Sequence, residues 1–313
     1  MTEEIDNTDK KIIYEIDLNP RTSLIKLAKK LRINRNTLEH RIERLIKKGF
    51  IKNFFCIVNG FNLGFEYYKY FIKIKEPKKE FSIEKLFNEK EIVWAGKVDG
   101  YWDFAITLRV KTREELTSIL DKINYFIEIS DKTLEIINSA TIFNERWLTK
   151  TDLTKEITNK LYETKINIDK KDITALRLLS LNGREKLVNI ADKLKLTPEA
   201  VNKRIKNLEK NKIILGYKAK VNYSLFGYDY FHLLLTLKNT KSKKEILYFL
   251  KNLSNCVTII ELTGKYDIQA ELLSKRYADI REVIEKIKQK FHDDIEIIEK
   301  LFVIEESNIK TFE

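Results

Sequence analysis

One stretch of this sequence has apolar residues at helical spacing and many hydrogen-bonding side chains between them, and it is the clearest candidate for a binding function. It lies in INRNTLEHRIERLIKKGFIKNF, residues 33–54. Asn34 stands where a helix is capped, and Gly49 stands where a helix ends with positive φ. Three apolar residues recur at helical spacing and form one narrow stripe, Leu38, Ile42 and Leu45. So thin a stripe fits either an ordinary solvated surface helix or a helix that enters the major groove of DNA.

The polar faces of this helix carry the side chains that proteins use on DNA. Asparagine pairs with adenine and glutamate accepts from cytosine, while arginine and lysine neutralise phosphates. The candidate contacts to double-stranded DNA on this helix are Arg35, Asn36, Glu39, His40, Arg44 and Lys47.

The chain contains this stretch twice. A shift of 163 places residues 6–64 on 169–227 without a gap, and 17 of the 59 columns are identical. The second helix has Thr197 as its cap and Pro198 at its first position, where a missing N–H is harmless. Its polar face differs from the first, with the candidate DNA contacts Glu199, Asn202, Lys203 and Lys206. Because different faces cannot read the same half-site equally well, we predict two non-equivalent DNA half-sites per chain.

The positive charge of the chain is confined to these two stretches. The net charge is +12 and the isoelectric point is about 9.3. Residues 20–55 carry a net charge of +9 and residues 183–220 a net charge of +7, so the rest of the chain carries −4. This distribution is typical of sites that neutralise phosphates.

Each copy of the repeat predicts the elements that position its polar helix. A first helix opens with a pair of aspartates, Asp6 and Asp9 or Asp169 and Asp172, in the manner of a capping box. A second helix follows a turn, at 23–32 and 185–195, with Ala28 or Ala191 where two helices approach closely. Strands at 51–58 and 214–221 then begin a β-wing. These elements predict a winged helix-turn-helix in each half.

Four arginines accompany the predicted DNA-binding helices. Arg41 and Arg204 lie at the edge of the apolar stripe rather than on the far face. An ion pair with Asp9 or Asp172, or a phosphate contact, is therefore expected of them in preference to base reading. Arg21 and Arg184 precede the second helix, and either a phosphate contact or stabilisation of the turn would explain them.

The segments after each repeat alternate between strands and helices. Strands are predicted at 67–75, 92–98, 101–110 and 133–143, with helices at 82–89 and 113–126. Matching strands are predicted at 230–237, 257–263, 266–274 and 295–304, with helices at 243–253 and 277–291. The order βαββαβ is that of a ferredoxin-like unit, so the predicted fold class is α+β. The predicted domains are winged helix-turn-helices at 1–64 and 167–227, ferredoxin-like domains at 65–145 and 228–306, and a helical linker at 146–166.

Each predicted ferredoxin-like unit contains one glycine-led hairpin. The hairpins read Gly100-Tyr101-Trp102-Asp103 and Gly264-Lys265-Tyr266-Asp267. A tight turn explains the glycines. Aspartate is unfavourable in strands, so Asp103 and Asp267 predict either a buried partner or a ligand amine. Gly100, Asp103, Gly264 and Asp267 are accordingly the candidate effector-binding residues.

Several functional classes find no support in the sequence. It has no apolar run long enough to span a membrane and no secretory signal at its polar N-terminus. Two distant cysteines, Cys56 and Cys256, fit a reducing cytoplasm rather than a disulfide framework. The three histidines have no metal-ligand spacing, and no nucleophile motif or phosphate loop is present. We therefore expect no metal, no cofactor and no enzymatic activity.

The arrangement of these motifs resembles the Lrp/AsnC (feast/famine) family of transcription regulators. The resemblance rests on D-x-x-D in the first helix, R-I-x-x-L in the third helix, V-N at the end of the strand, and G-x-x-D. It covers nearly the whole chain twice, whereas most members carry one copy. It implies DNA-binding heads, ferredoxin-like (RAM-type) domains that dimerise and assemble further as homo-oligomers, and an amino-acid effector near the G-x-x-D hairpin.

Two rival functions remain at the level of the sequence. The chain could be a metabolite sensor or an architectural DNA-binding protein with weak sequence preference. The same architecture also occurs in decarboxylases of modified tetrapyrroles, which resemble this family in fold. The small number of histidines and the basic third helices argue against such an enzyme.

Overall fold

The computed structural model describes residues 5–17, 19–76, 89–149, 155–163, 167–307, 309–310 and 312. The helices are α1 Asn7–Asp17, α2 Leu24–Leu31, α3 Arg35–Lys47, α4 Arg113–Phe126, α5 Lys170–Leu181, α6 Leu187–Leu194, α7 Pro198–Lys210, α8 Lys243–Lys251 and α9 Tyr277–Phe291. The strands are β1 Ile51–Val58, β2 Glu66–Glu76, β3 Ile92–Asp99, β4 Phe104–Val110, β5 Glu128–Phe143, β6 Glu156–Lys160, β7 Ile214–Val221, β8 Asp229–Leu237, β9 Cys256–Thr263, β10 Ile268–Ser274 and β11 Ile295–Glu306. None of the described helices has the length and apolar character that crossing a membrane requires.

The two heads contain the helices α1–α3 and α5–α7, and side-chain caps mark where most of these helices begin. The Asn34 side chain accepts from the Asn36 amide at 2.8 Å and begins α3, and Thr197 does the same for α7. Asp169 and Asp172 form a reciprocal capping box at the start of α5. The buried faces of α1, α2 and α3 meet in one apolar core, and those of α5, α6 and α7 meet in another. The three predicted helices of each head are therefore confirmed.

The strand that follows each head pairs with its counterpart from the other half. The sequence predicts that β1 and β7 each begin a β-wing hairpin. Instead, the two strands pair with each other and form a two-stranded antiparallel ribbon. Ile51 lies opposite Val221, and Val58 lies opposite Ile214. The physical reason is that β1 and β7 each have one apolar face. Pairing the two strands lets both apolar faces pack in the cores that the helices form. The ribbon joins the two heads directly.

The remaining strands form one sheet that closes on itself. Its order is β2-β4-β3-β11-β8-β10-β9-β5-β6, and an additional β2–β5 pairing closes the first eight strands into a ring. The β3–β11 and β5–β9 pairs join the first half of the chain to the second. The two halves therefore pair within one chain. The predicted strands agree with the observed ones to within a few residues, and the predicted helix at 82–89 lies outside the described residues.

The connector between the halves differs from the prediction of a helical linker. A short 3₁₀ turn, Arg146–Leu148, is followed by the strand β6, which pairs with β5 along its whole length. The register places Thr141 opposite Thr158 and Ile142 opposite Ile157. Residues 156–160 form a strand because β2 pairs with β5 only as far as Ile136, so the same edge of β5 has unpaired backbone groups at 139–143 that this segment satisfies.

Candidate nucleic-acid interface

The predicted base-reading side chains of the first head lie on the outer surface of α3. Asn36 and His40 are exposed, and Glu39 is half-buried. The Arg35 Nη2 atom lies 4.0 Å from Glu39 Oε2, one helical turn away. Lys47 is exposed in the last turn, where a cation also complements the helix dipole. The buried face of the same helix contains Leu38, Ile42 and Leu45 and packs on α1 and α2.

The second head presents a different surface at the equivalent positions. Glu199, Lys203 and Lys206 are exposed on α7, and Asn202 is half-buried. At the shift of 163 these residues replace Asn36, His40, Glu43 and Glu39, respectively. The second face is therefore the more basic of the two, although the backbone beneath it is built in the same way.

Arg41 and Arg204 clamp the first helix of each head to the third. Arg41 Nη1 donates to Asp6 Oδ2 at 2.8 Å and to Asp9 Oδ1 at 2.9 Å. Arg204 Nη1 makes the equivalent bonds to Asp169 at 2.8 Å and to Asp172 at 2.9 Å. The hydrogen bonds that both arginines donate to these aspartates raise the pKa of the two guanidinium groups. The predicted structural ion pairs are present.

The two clamps differ in one arginine. Arg44 Nη2 lies 2.5 Å from Asp9 Oδ2, so this candidate DNA contact also holds the fully buried Asp9 side chain. The equivalent residue in the second head is Asn207, and the ion pairs of Asp172 come from Arg204. Among the described residues, Asp9 therefore pairs with two arginines and Asp172 with one.

This difference predicts unequal costs of truncating the two clamps. Arg204→Ala should lower the free energy of unfolding by about 1–3 kcal/mol, because it leaves Asp172 without its cation. Arg41→Ala should cost less, because Arg44 continues to pair with Asp9. Urea unfolding and amide exchange in α1 and α5 measure the difference. Equal losses for the two variants would contradict the role given to Arg44.

Arg21 and Arg184 make contacts between the heads. Arg21 Nη1 donates to the carbonyl oxygens of Gly183 at 3.0 Å and Glu185 at 3.2 Å, and its guanidinium lies 5.4 Å from the Tyr217 ring centroid. Arg184 lies 5.2 Å from the ring centroid of Phe54. Phe54 and Tyr217 are equivalent at the shift of 163. Of the two alternatives left by the sequence, these contacts favour a structural role for both arginines.

Backbone amides account for the hairpin aspartates. Asp103 Oδ2 accepts from the Ile74 amide at 2.8 Å, and Asp267 Oδ2 accepts from the Leu237 amide at 2.8 Å. A Cβ atom on Gly100 would lie 2.6 Å from the Lys300 carbonyl oxygen, so close approach to the other half requires this glycine. The buried-partner alternative therefore explains both aspartates, and their predicted effector role stays a prediction.

A group of buried polar residues on and beneath the ribbon was not predicted from the sequence. Lys218 Nζ lies 3.0 Å from Asp17 Oδ2 and 2.9 Å from Glu145 Oε1. Lys69 and His232 are buried at equivalent positions of β2 and β8. The sequence shows only that polar residues such as Lys69 and Lys218 stand among apolar ones in these strands. A single such position does not distinguish an interior group from a change in strand register.

Models of two helix-turn-helix families match the two heads. A winged helix-turn-helix DNA-binding model matches residues 5–52, and the AsnC-type helix-turn-helix model matches residues 168–209. The transcriptional regulator FL11 of Pyrococcus furiosus is 32% identical over 120 residues, which cover 38% of this chain and 80% of the relative. The transcriptional regulator Ptr1 of Methanocaldococcus jannaschii is 32% identical over 117 residues, 37% of this chain and 79% of that protein. The chain belongs to the Lrp/AsnC family.

A solved structure resembles this member of the Lrp/AsnC family over nearly its full length. The crystal structure of the siroheme decarboxylase NirDL has a TM-score of 0.66, covers 98% of this chain and 95% of its own, and is 14% identical. At this identity the likeness concerns the fold alone. It shows that a second protein has this full-length arrangement, whereas the regulators FL11 and Ptr1 match 38% and 37% of the chain.

Proposed function

We propose that this chain is a transcription regulator that binds double-stranded DNA with two non-equivalent heads held on one ribbon. The observation that carries the proposal is the exposure of α3 and α7 with different polar faces on the same framework. The transcriptional regulator FL11 of Pyrococcus furiosus is 32% identical over 80% of its own length, which supports the DNA-binding role. Lys and Arg side chains set affinity and register on the phosphates, and the third helices read bases in the major groove.

We also assign two ferredoxin-like units to the chain. The order β8-α8-β9-β10-α9-β11 supports one at 228–306, and β2, β3, β4, α4 and β5 support its counterpart at 65–145. Winged helix-turn-helix units then occupy 1–64 and 167–227, with the connector at 146–166 between the halves. On this assignment, pairing within one chain takes the place of a dimer of single-copy subunits. Further assembly into homo-oligomers stays a prediction.

Substitutions in the heads distinguish side chains that contact phosphates from side chains that contact bases. Lys47→Ala and Lys206→Ala should weaken binding to all sequences and reduce the slope of log affinity against log salt by about 1 each. Asn36→Ala and Asn202→Ala should instead relax the sequence preference, with ~1–3 kcal/mol lost on the best site. Fluorescence anisotropy on a DNA site selected in vitro by the wild-type protein measures both.

The control variant is Lys288→Ala, which removes an exposed lysine from α9, outside the heads. It should leave affinity and salt slope unchanged. Affinity that does not change with salt would overturn the phosphate-contact mechanism. Selection that enriches no motif would favour an architectural protein, and retention of a coloured tetrapyrrole without DNA binding would favour the decarboxylase function.

A further inference from the structure

A cavity of about 250 Å³ lies between the β1–β7 ribbon and the inner face of the closed sheet. Ile57 and Val221 face it from the ribbon, and Trp94, Ile137 and Ile260 face it from the sheet. Its volume is slightly below the range of about 300–1,000 Å³ that is typical of pockets for drug-sized ligands, so the cavity fits only a small molecule. The walls are predominantly apolar, so the cavity is suited to a small metabolite with an apolar body.

A buried cation lies in the wall of this cavity. Lys69 on β2 is 2% exposed. Its Nζ donates to Thr107 Oγ1 at 2.9 Å and lies 4.1 Å from the ring centroid of Trp94. Among the residues that the structure describes, no carboxylate oxygen forms an ion pair with it within 4.0 Å. A buried ammonium with one hydroxyl partner retains unused donors.

The equivalent place in the second half contains the carboxylate that the first half lacks. His232 occupies the position of Lys69 at the shift of 163, and its partner across the strands is Glu271. Asp103 and Asp267 show that β4 and β10 correspond at a shift of 164, so Glu271 corresponds to Thr107. Glu271 Oε1 lies 3.8 Å from His232 Nε2 and accepts from Gln269 Nε2 at 2.9 Å. The first half therefore has the cation without the matching anion.

We propose that this cavity binds a small carboxylate with an apolar body, and that Lys69 holds its carboxylate group. The ligand anion takes the place that Glu271 fills in the other half, and its body packs on Trp94, Ile137 and Ile260. The side-chain oxygen of Asn159, which lines the same cavity, is buried without a hydrogen-bond partner, so the cavity wall contains a second polar group that the protein leaves unused. The ligand class is thus an apolar monocarboxylate.

The electrostatics of the cavity agree with this assignment. Burial lowers the pKa of Lys69 to about 8, and attraction from Glu271 and Glu306 opposes the change only in part. The neighbouring groups are already engaged, since Glu306 accepts from Trp94 Nε1 at 2.9 Å and Glu271 accepts from Tyr230. Burial also lowers the pKa of His232 to about 4, so His232 supplies no competing cation at neutral pH. A ligand carboxylate would stabilise the charge of the Lys69 ammonium, which the protein's own groups stabilise only in part.

Occupancy of the cavity would reach the DNA-binding heads through the ribbon. β1 follows α3 and β7 follows α7, and both strands contribute residues to the cavity wall. A ligand that favours one position of the ribbon over another would change how well the heads match their half-sites. This regulatory step rests on the proposed DNA-binding function, whereas ligand binding does not.

Calorimetry with phenylacetate and its uncharged isostere phenylacetamide tests the binding step without DNA. The wild-type chain should bind phenylacetate about tenfold or more tightly than phenylacetamide, because only the anion gains a charge-assisted hydrogen bond. Lys69→Met should remove this preference. Thr107→Glu should also remove it while keeping the lysine, because it supplies the carboxylate found in the other half. Lys73→Met, on the same strand but outside the cavity wall, should behave as wild type.

Circular dichroism and thermal unfolding establish that each variant is folded before it is titrated. Equal affinities of the folded wild type for the two compounds would overturn the proposal, as would no binding of phenylacetate at millimolar concentration. Retention of the preference by Thr107→Glu would overturn it even if Lys69→Met fails to fold. If calorimetry supports binding but phenylacetate leaves DNA affinity unchanged, the carboxylate site stands and the regulatory step is wrong.

Discussion

Replacing Lys218 with methionine should lower the free energy of unfolding by about 3–5 kcal/mol, since it leaves buried carboxylates without their cation. The Lys218 ammonium lies 3.0 Å from Asp17 Oδ2 and 2.9 Å from Glu145 Oε1, and it donates to the Phe143 carbonyl oxygen at 3.0 Å. The Asp17 and Glu145 side chains are fully buried, so solvent cannot take the place of the ammonium. The effect should exceed that of any surface ion pair in the chain.

The cost is large because three distant segments meet at this lysine. Asp17 ends α1 of the first head, Glu145 precedes the 3₁₀ turn after β5, and Lys218 lies on β7 of the ribbon. Burial raises the pKa of Asp17 to about 7, against the attraction of Lys218, and repulsion from Glu145 adds to the rise. Burial also acts to lower the pKa of Lys218, but the two carboxylates outweigh it and leave that pKa raised. Both carboxylates therefore depend on the lysine for compensation.

Urea and thermal unfolding measure the effect, and the repeat provides a matched control. Phe55 occupies the position of Lys218 in the first half, so Phe55→Met makes the same final residue at the equivalent point of the ribbon. It should cost much less. The triple variant Asp17→Asn, Glu145→Gln, Lys218→Met removes all the charges and should recover part of the loss. A loss below about 1 kcal/mol in Lys218→Met would show that the carboxylates find other compensation.

The heads could be predicted because their structure is determined locally. Asn34, Thr197 and the Asp169–Asp172 pair each cap a helix with atoms only two or three residues away. The Arg41 clamp could also be predicted, since helical spacing places its side chain at the edge of the apolar stripe. These features need no knowledge of what the rest of the chain does.

The pairing of the two halves could not be predicted, because the pattern of apolar and polar residues in a strand does not indicate which strand it pairs with. The sequence of β1 is equally compatible with a local hairpin and with the observed pairing with β7. The few apolar residues of β6 are likewise compatible with a short helix as well as with a strand. Only its pairing with β5 distinguishes the two. The ring of eight strands depends on the β3–β11 and β5–β9 contacts, which join residues more than a hundred positions apart.

The polar interior was missed for a related reason. Lys69 and His232 are related by the shift of 163, but they are different residue types and lie beyond the repeat at 6–64 and 169–227. Only closure of the sheet shows that both positions face inward, next to Thr107 and Glu271. For the hairpin aspartates the sequence left two explanations, and the hydrogen bonds from the Ile74 and Leu237 amides support the buried-partner one. Their effector role stays a prediction.

Exchanging the reading face of the second head for that of the first should redirect which DNA half-site it prefers. The variant Glu199→Asn, Asn202→Glu, Lys203→His, Lys206→Glu gives α7 the polar face of α3 without touching its buried residues. If the two faces read different half-sites, the wild-type site should lose about 2–6 kcal/mol of preference, since two base-reading contacts at ~1–3 kcal/mol each are replaced. A site with two copies of the first half-site should gain accordingly. The spacing of the half-sites should not change, because the ribbon is unaltered.

The exchange also removes three units of positive charge, which weakens binding to every sequence. The ratio of affinities for the two DNA sites at one salt concentration cancels this general loss. The reciprocal variant Asn36→Glu, Glu39→Asn, His40→Lys, Glu43→Lys adds the same charge to α3 and should shift preference toward two copies of the second half-site. If both variants change affinity but leave the ratio at its wild-type value, the heads are equivalent as readers. The operator is then determined by phosphate contacts and spacing rather than by the faces of α3 and α7.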